Sequence, residues 1–490
     1  MIQNEQGIAF PYINGARDTS ANAELIDDVN PATGELIARV VASSAEQVDA
    51  AVRAARSVFE AGSWSRAEPA FRRDVMLRFA DLIEEHLDEL AGLDSSEAGK
   101  PLASCREGDI PDLIEAIRWY AQTADKRFGR TSPSRPGSVG LITHEPVGVV
   151  AAVIPWNFPC GTLSWKLGPA LVTGNSVIVK PAEQTPLAAL RLAELATEAG
   201  LPDGVLNVLP GHGHITGRAL GLHPDVDAVT FTGSTEVGRA FLRYSADSNL
   251  KEVSLELGGK SPQIVFADMA DSIDAVVEQV GVATFMNMGE NCTCGSRVLV
   301  QRPIYERFVE LFVEEAGRWT VGDPAAPETL IGPLVDEAQL ARVQGYVEGA
   351  VAEGARIRSG GRRILEETGG WFFEPTVITD ADASATIMRE EVFGPVACVV
   401  PFDTEEEAVA LANDTVYGLA ASVFTRDVAA AHRVSRAVRA GTVSVNCYSE
   451  GDISTPFGGF KQSGFGGRDK GLEALAQYSN VKTTWINLEI

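Results

Sequence analysis

The amino-acid sequence predicts an α/β protein with parallel, doubly wound sheets, divided into two or three folding units. Two observations carry that reading. At 490 residues the chain exceeds one ordinary domain. From about residue 147 onward, short, continuously apolar strands alternate with helical segments, and a second α/β stretch follows residue 258. Strands apolar on both faces belong in a covered sheet, and parallel neighbours need helical crossovers.

Residues 44–59 read as a helix. Ser44 and Gln47 have capping-box spacing, and Val48, Ala51, Val52, Ala55 and Phe59 form an apolar stripe. A second helix near 69–91 carries Phe71, Val75, Phe79, Leu82, Ile83 and Leu90 on one face, and a third covers about 109–125. The breaker-rich run from Thr131 to Gly137 reads as a linker. After it come the strands Val147–Ile154, Ser176–Val179, Val205–Leu209 and Ala228–Thr232. Thr185 and Pro186 predict a helix start with its cap and first-turn proline, and Gly200 its stop. The second stretch has strands near 262–266, 296–301, 396–402, 420–424 and 441–446. Val481–Leu488 alternates like a strand that needs a partner outside its own layer. No internal repeat is present.

Composition narrows the function. The formal net charge of -26 repels nucleic acid and anionic membrane surfaces. The six cysteines include no CxxC pair, so no metal site is expected. Met1 to Asp18 contains no basic-then-apolar signal, and no long apolar run follows. The expectation is therefore a cytoplasmic protein that does not span a membrane.

Several motifs carry chemistry. Gly211-His-Gly213-His-Ile-Thr-Gly217 lacks the third glycine of a dinucleotide loop, and a plain turn explains it equally. Phe231-Thr-Gly233-Ser234-Thr-Glu-Val237-Gly238 follows a strand and opens a helix, where free N–H groups and the helix dipole favour a pyrophosphate, although an ordinary strand-to-helix turn explains it equally. Lys180 and Glu183, three apart at a strand end, suit a ribose diol, although a surface ion pair has the same spacing. Cys292 lies in a polar turn between Gly289 and Gly295, and a thiol there suits nucleophilic catalysis. Asn157, in Pro155-Trp156-Asn157-Phe158-Pro159, is an amide donor for an oxyanion. Glu256 lies between leucines, where partial desolvation would fit a general base and an ion-paired acid is the alternative.

Taken together these segments resemble the aldehyde dehydrogenase superfamily over nearly the whole chain. The resemblance rests on Pro155–Pro159, Lys180–Glu183, Phe231–Ser234, Glu256-Leu257-Gly-Gly259, the Gly289…Cys292…Gly295 box and Glu391-Val-Phe393-Gly-Pro395. It implies a Rossmann-like NAD-binding domain (1–127 and 147–258) and an α/β catalytic domain (259–478). A small β oligomerisation arm (128–146 and 479–490) would make a homodimer or homotetramer. It implies that NAD, with NADP as a possible substitute, meets Ile154, Pro155, Trp156, Lys180, Glu183, Phe231, Gly233, Ser234, Val237, Leu257, Glu391 and Phe393. Cys292 would attack a small-molecule aldehyde, Asn157 would hold the oxyanion, and Glu256 would activate the water that releases the acid. Leu334 stands where some members have a glutamine near the ribose, so that contact is expected to be missing. Asp469 replaces a common glutamate, which leaves a proton-relay role open.

Within the superfamily, the run from Gly451 to Ser463 and the segments Gly467–Lys470 and Trp485–Glu489 resemble aminoaldehyde dehydrogenases of polyamine degradation. The γ-glutamyl-γ-aminobutyraldehyde type is the nearest. That likeness implies acids on the third helix at the tunnel mouth, matched by Asp109 and Asp112, although helix-start carboxylates favoured by the dipole explain them equally; Glu450, in the loop before Pro456-Phe457, would add another carboxylate. Trp165 stands where an arginine would hold a carboxylate-bearing semialdehyde. Phe158, Trp165, Phe285 and Phe457 would equally suit a neutral aliphatic or aromatic aldehyde. Structural-protein and CoA-acylating relatives also exist. The set Cys292, Glu256 and Asn157 speaks against the first, and Glu256 speaks for hydrolysis against the second.

Overall fold

The computed structural model describes residues 3–19 and 24–489; residues 1–2 and 20–23 of the expected NAD-binding domain and residue 490 of the expected arm lie outside them. Five parallel strands run side by side in the order Leu206–Val208, Ser176–Lys180, Val149–Val153, Ala228–Thr232, Glu252–Glu256. In chain order this is 3-2-1-4-5, so the winding reverses between Val149–Val153 and Ala228–Thr232. Ligands of open α/β sheets bind at such a reversal, beyond the carboxyl ends of the strands. Register puts Val153 opposite both Lys180 and Phe231, and Thr232 opposite Glu256. Lys180–Glu183, Phe231–Ser234 and Glu256–Gly259 thus leave the sheet at the same end, whereas Glu391–Pro395 precedes the strand Val396–Phe402 of another sheet.

A second sheet has the order Arg356–Ser359, Thr376–Thr379, Val396–Phe402, Arg297–Gln301, Pro262–Val265, Ala420–Phe424, Thr442–Val445, parallel except for its first strand. Its central strands, Pro262–Val265, Arg297–Gln301 and Ala420–Phe424, are short and buried, as strands covered on both faces are. The terminal strand Ser479–Asn487 pairs antiparallel with Ser138–Pro146, which pairs in turn with Arg130–Ser132. The breaker-rich run is therefore partly strand, and the rest of it turns the hairpin.

The first helix, Ala45–Ala61, has the full Ser44–Gln47 capping box. The helix expected over 69–91 is two, Pro69–Glu85 and Leu87–Ala98, meeting at His86. Thr185 does not cap the helix Leu187–Glu198, since its hydroxyl has no partner. The buried Glu97 carboxylate reaches across and accepts from the Leu187 and Ala188 N–H groups at 2.7 and 3.3 Å.

Candidate active site

A cavity opens where the carboxyl edge of the first sheet faces the second. Its walls include Pro155, Trp156, Asn157, Phe158, Glu256, Cys292, Glu391, Phe393, Glu450 and Phe457. Cys292 is reached by a strained turn. Asn287 and Met288 both have positive φ (53° and 58°), as does Phe393 (61°) across the cavity. Such angles persist in side-chain-bearing residues only where the surroundings enforce them. Two glycines make room: Gly289 (φ 67°) lies against Gly394, and at Gly259 a Cβ would run into the Cys292 carbonyl. From Asn287 to Val300 Cys292 alone is not fully buried. Cys294, two residues on, is buried, and its thiol points at the Thr284 carbonyl.

Asn157 is buried, and its Nδ2 donates to the Glu290 carbonyl at 2.9 Å. An amide nitrogen has two N–H bonds, so one remains for a ligand on the same wall as Cys292. The Asn157 backbone carbonyl accepts from Lys100 Nζ (3.2 Å) and Asn287 Nδ2 (3.1 Å), which fixes the loop. Glu256 is buried, and its Oε2 has no hydrogen-bond partner among the described residues. Burial pushes its pKa well above the carboxylate range, and Asp469 adds to the rise against Lys166 and Arg468. Burial likewise raises the Cys292 thiol, helped by the carboxylates of Glu450, Glu391 and Glu256. Lys166, the only charge in the apolar helix Pro159–Val172, was not foreseen. Its Nζ pairs with buried Asp469 at 3.0 Å, so the shorter acid still reaches a cation beside Glu256.

The donor set at the other end fits a dinucleotide. Glu183 Oε2 pairs with Lys180 Nζ at 3.0 Å, and Oε1 accepts from the Gly213 N–H at 2.7 Å. The weak glycine-rich turn thus contacts the strand-end acid. Burial works to raise Glu183, but Lys180 and the Gly213 N–H prevail and hold it below its ordinary value. Ser234 caps the helix Thr235–Ala246, whose first turn opens beside the cavity, and a Cβ at Gly233 would meet the Phe231 ring at 2.6 Å. Glu391 Oε1 accepts from the Gly259 N–H at 2.9 Å, and burial pushes Glu391 up to about 7. Trp156 meets Phe393 edge-on at 5.2 Å. Leu257 lines the cavity, whereas Ile154 is core and Val237 is exposed away from it. Five residues beyond Leu334 stands Gln339. Its Nε2 donates to the Phe393 carbonyl at 2.6 Å on the cavity wall, while Leu334 is core. Arg342 beside it anchors the Glu391 carbonyl at 2.8 Å.

Several expectations for the aldehyde end need correcting. Phe285 does not reach the cavity. It is fully buried, with its ring stacked on Phe312 at 5.6 Å and Trp319 beside it. Asp109 is not a free carboxylate at a mouth: it pairs with buried Lys100 at 2.7 Å, whose ammonium lies 3.8 Å from the Phe158 ring. An unpaired lysine there would be too costly to bury, which is why the acid turns inward. Asp112 is exposed and lines no wall. Trp165 and Phe457 do line it, 5.3 Å apart, and Lys470, quoted above only as part of a segment, takes up a role beside them. The Lys470 ammonium lies 5.1 Å from the Trp165 ring and donates to the carbonyls of Glu450 and Gly451 at 3.0 and 2.8 Å.

The chain belongs to the aldehyde dehydrogenase family, whose model matches residues 18–484. It is therefore an oxidoreductase that acts on aldehydes with NAD(P). It is 48% identical over 476 residues to the aminoacetaldehyde dehydrogenase of Pseudomonas aeruginosa, covering 97% of this chain and 95% of that one. The gamma-glutamyl-gamma-aminobutyraldehyde dehydrogenase from Burkholderia cenocepacia superposes with a TM-score of 0.95 at 49% identity, over 98% and 97% of the two chains. The P. syringae indole-3-acetaldehyde dehydrogenase, solved as a point mutant in complex with NAD+ and IAA, gives 0.96 at 48% identity, over 98% and 96%. Among the described residues no helix is long and apolar enough to cross a membrane.

Proposed function

We propose that the chain oxidises an amino- or amide-bearing aliphatic aldehyde, of the kind formed in polyamine breakdown, to the acid through a thioester on Cys292. The observation that carries the mechanism is the partly exposed Cys292 sharing one cavity wall with Asn157 and Glu256. The Cys292 sulfur bonds to the carbonyl carbon as its thiol proton departs. The oxyanion is held by the free Asn157 N–H and the Cys292 backbone N–H. Bound NAD+ supplies the acceptor for the hydride. Collapse of the oxyanion then leaves an acyl group on sulfur. Glu256 takes a proton from water, and the hydroxide displaces the thiolate to give the acid. Lys180, Glu183 and the Gly233-Ser234 turn would hold the ribose and pyrophosphate, and Glu391 and Phe393 would place the nicotinamide half.

The substrate reading draws on Glu450 in the cavity wall, on the absence of arginine at Trp165, and on two of the relatives above. The alternative, a neutral or aromatic aldehyde, is favoured by the rings of Phe158, Trp165 and Phe457 and by the indole-3-acetaldehyde relative. A kcat/KM screen at low ionic strength separates the two. The amine reading expects 3-aminopropanal and 4-aminobutyraldehyde to exceed neutral aldehydes of equal length by about 5- to 150-fold. Hexanal or benzaldehyde outperforming both would select the alternative.

The assembly belongs to the same proposal. Ser479–Asn487 is an edge strand with Val481, Trp485 and Leu488 nearby exposed, which suits a homodimer or homotetramer joined through this arm. The six free cysteines fit a reducing cytoplasm.

A further inference from the structure

Glu450 stands beside a thiol that has to ionise, where a second negative charge works against ionisation. Its Oε1 accepts a hydrogen bond from the Thr293 hydroxyl, one residue after Cys292. The Thr293 hydroxyl also meets Tyr448 OH at 2.6 Å, and Tyr448 OH accepts from Asn291 Nδ2 at 2.8 Å, one residue before Cys292. Both neighbours of the sulfur are tied to this one carboxylate, and Glu450 and Cys292 line the same cavity.

Three carboxylates face the sulfur: Glu450, Glu391 and Glu256. Glu391 is bonded to the Gly259 N–H, and burial raises Glu256 well above the carboxylate range. Around Glu450 itself lie Tyr448, Lys470 and Asp112. Lys470 directs two of its three N–H groups at the backbone carbonyls of residues 450 and 451, and Asp112 adds negative charge. Lys470 lies near enough to feel Glu450, but no cation among the described residues forms an ion pair with the carboxylate itself, so a ligand's ammonium can pair with it.

We propose that Glu450 selects short aldehydes carrying an ammonium group, and that the bound ammonium, by cancelling this charge, frees Cys292 to ionise and attack. The proposal rests on the aminoaldehyde reading and adds to it a reason for selection at the chemical step. The carboxylate is held one residue from the nucleophile, so the ammonium must lie within a few bonds of the carbonyl. The thiol proton passes to solvent, the ammonium pairs with the carboxylate, and the sulfur keeps the electron pair that forms the new C–S bond. A neutral aldehyde leaves the opposing charge in place.

Alkylation of Cys292 by iodoacetamide, followed by peptide mass mapping as a function of pH, tests this without any aldehyde turnover. Its failure is thus distinct from failure of the substrate screen. In the unmodified enzyme, ethylammonium chloride should accelerate alkylation several-fold over sodium chloride at matched ionic strength. Glu450→Gln should move the reactivity midpoint down by about one pH unit, about tenfold in rate near neutrality, and abolish the ethylammonium effect. A wild-type rate indifferent to ethylammonium overturns the proposal, and this arm needs no substitution. A Glu450→Gln profile that superimposes on the wild type overturns it as well.

Discussion

The dinucleotide and aldehyde sides of the site hold their carboxylates by opposite means. At the dinucleotide end Glu183 is fastened by Lys180 and the Gly213 N–H, and Glu391 by the Gly259 N–H. At the aldehyde end Glu256 keeps an oxygen without a partner, and Glu450 is held on one oxygen by a neutral hydroxyl. Lys180 and the Gly213 N–H hold Glu183 below its ordinary value, so it stays ionised, whereas burial pushes Glu391 up to about 7 and Glu256 well above the carboxylate range. Binding through Glu183 should therefore respond weakly to pH, and the chemistry at Glu256 strongly.

Cys292→Ala cuts deepest into that contrast. It should remove essentially all dehydrogenase turnover while leaving NAD+ affinity, read by fluorescence titration, within about twofold, because no covalent bond to the aldehyde can form. Cys294→Ala should cost little by comparison. An indispensable Cys294 with a dispensable Cys292 would move the nucleophile.

A smaller effect belongs to the fastened end. Glu183→Ser removes a carboxylate that would face a 2′-phosphate, so the preference for NAD+ over NADP+ in kcat/KM should shrink by about one to two orders of magnitude, with kcat for NAD+ little changed. An unchanged cofactor ratio would show that Glu183 does not face the ribose.

The legibility of the molecule in its sequence follows the same division. Local patterns identified most strands of both sheets and the turn around Cys292, because apolar runs, glycines and caps act over a few neighbouring residues; Glu252–Glu256, Arg356–Ser359 and Thr376–Thr379 were not among them. The pairing of Ser479–Asn487 with Ser138–Pro146 came from resemblance, since strand pairing across the chain leaves no local trace. The aldehyde end was least legible. Phe285 lies on an apolar helix where a ring facing the core and a ring facing a pocket look alike. Asp109 is claimed by Lys100, nine residues away, and only burial of that lysine shows it. Gln339 sits five residues beyond Leu334, and the helix starting at Glu337 brings it to the wall. Lys166 did leave a signal, a lone cation in a helix otherwise without charge.

The central claim is that a Cys292 thioester forms and that Glu256 drives its hydrolysis. Burial holds the proton on Glu256 to higher pH than an ordinary carboxyl. The basic form therefore grows as pH rises, and hydrolysis should accelerate with it in the unmodified enzyme. Glu256→Gln has no such form. Rapid mixing of this variant with aldehyde and excess NAD+ should give a burst of about one NADH per active site, then slow turnover that no longer rises with pH. Intact-protein mass should show the acyl group on Cys292. No burst and no acyl adduct, with steady turnover still climbing with pH, would contradict the account.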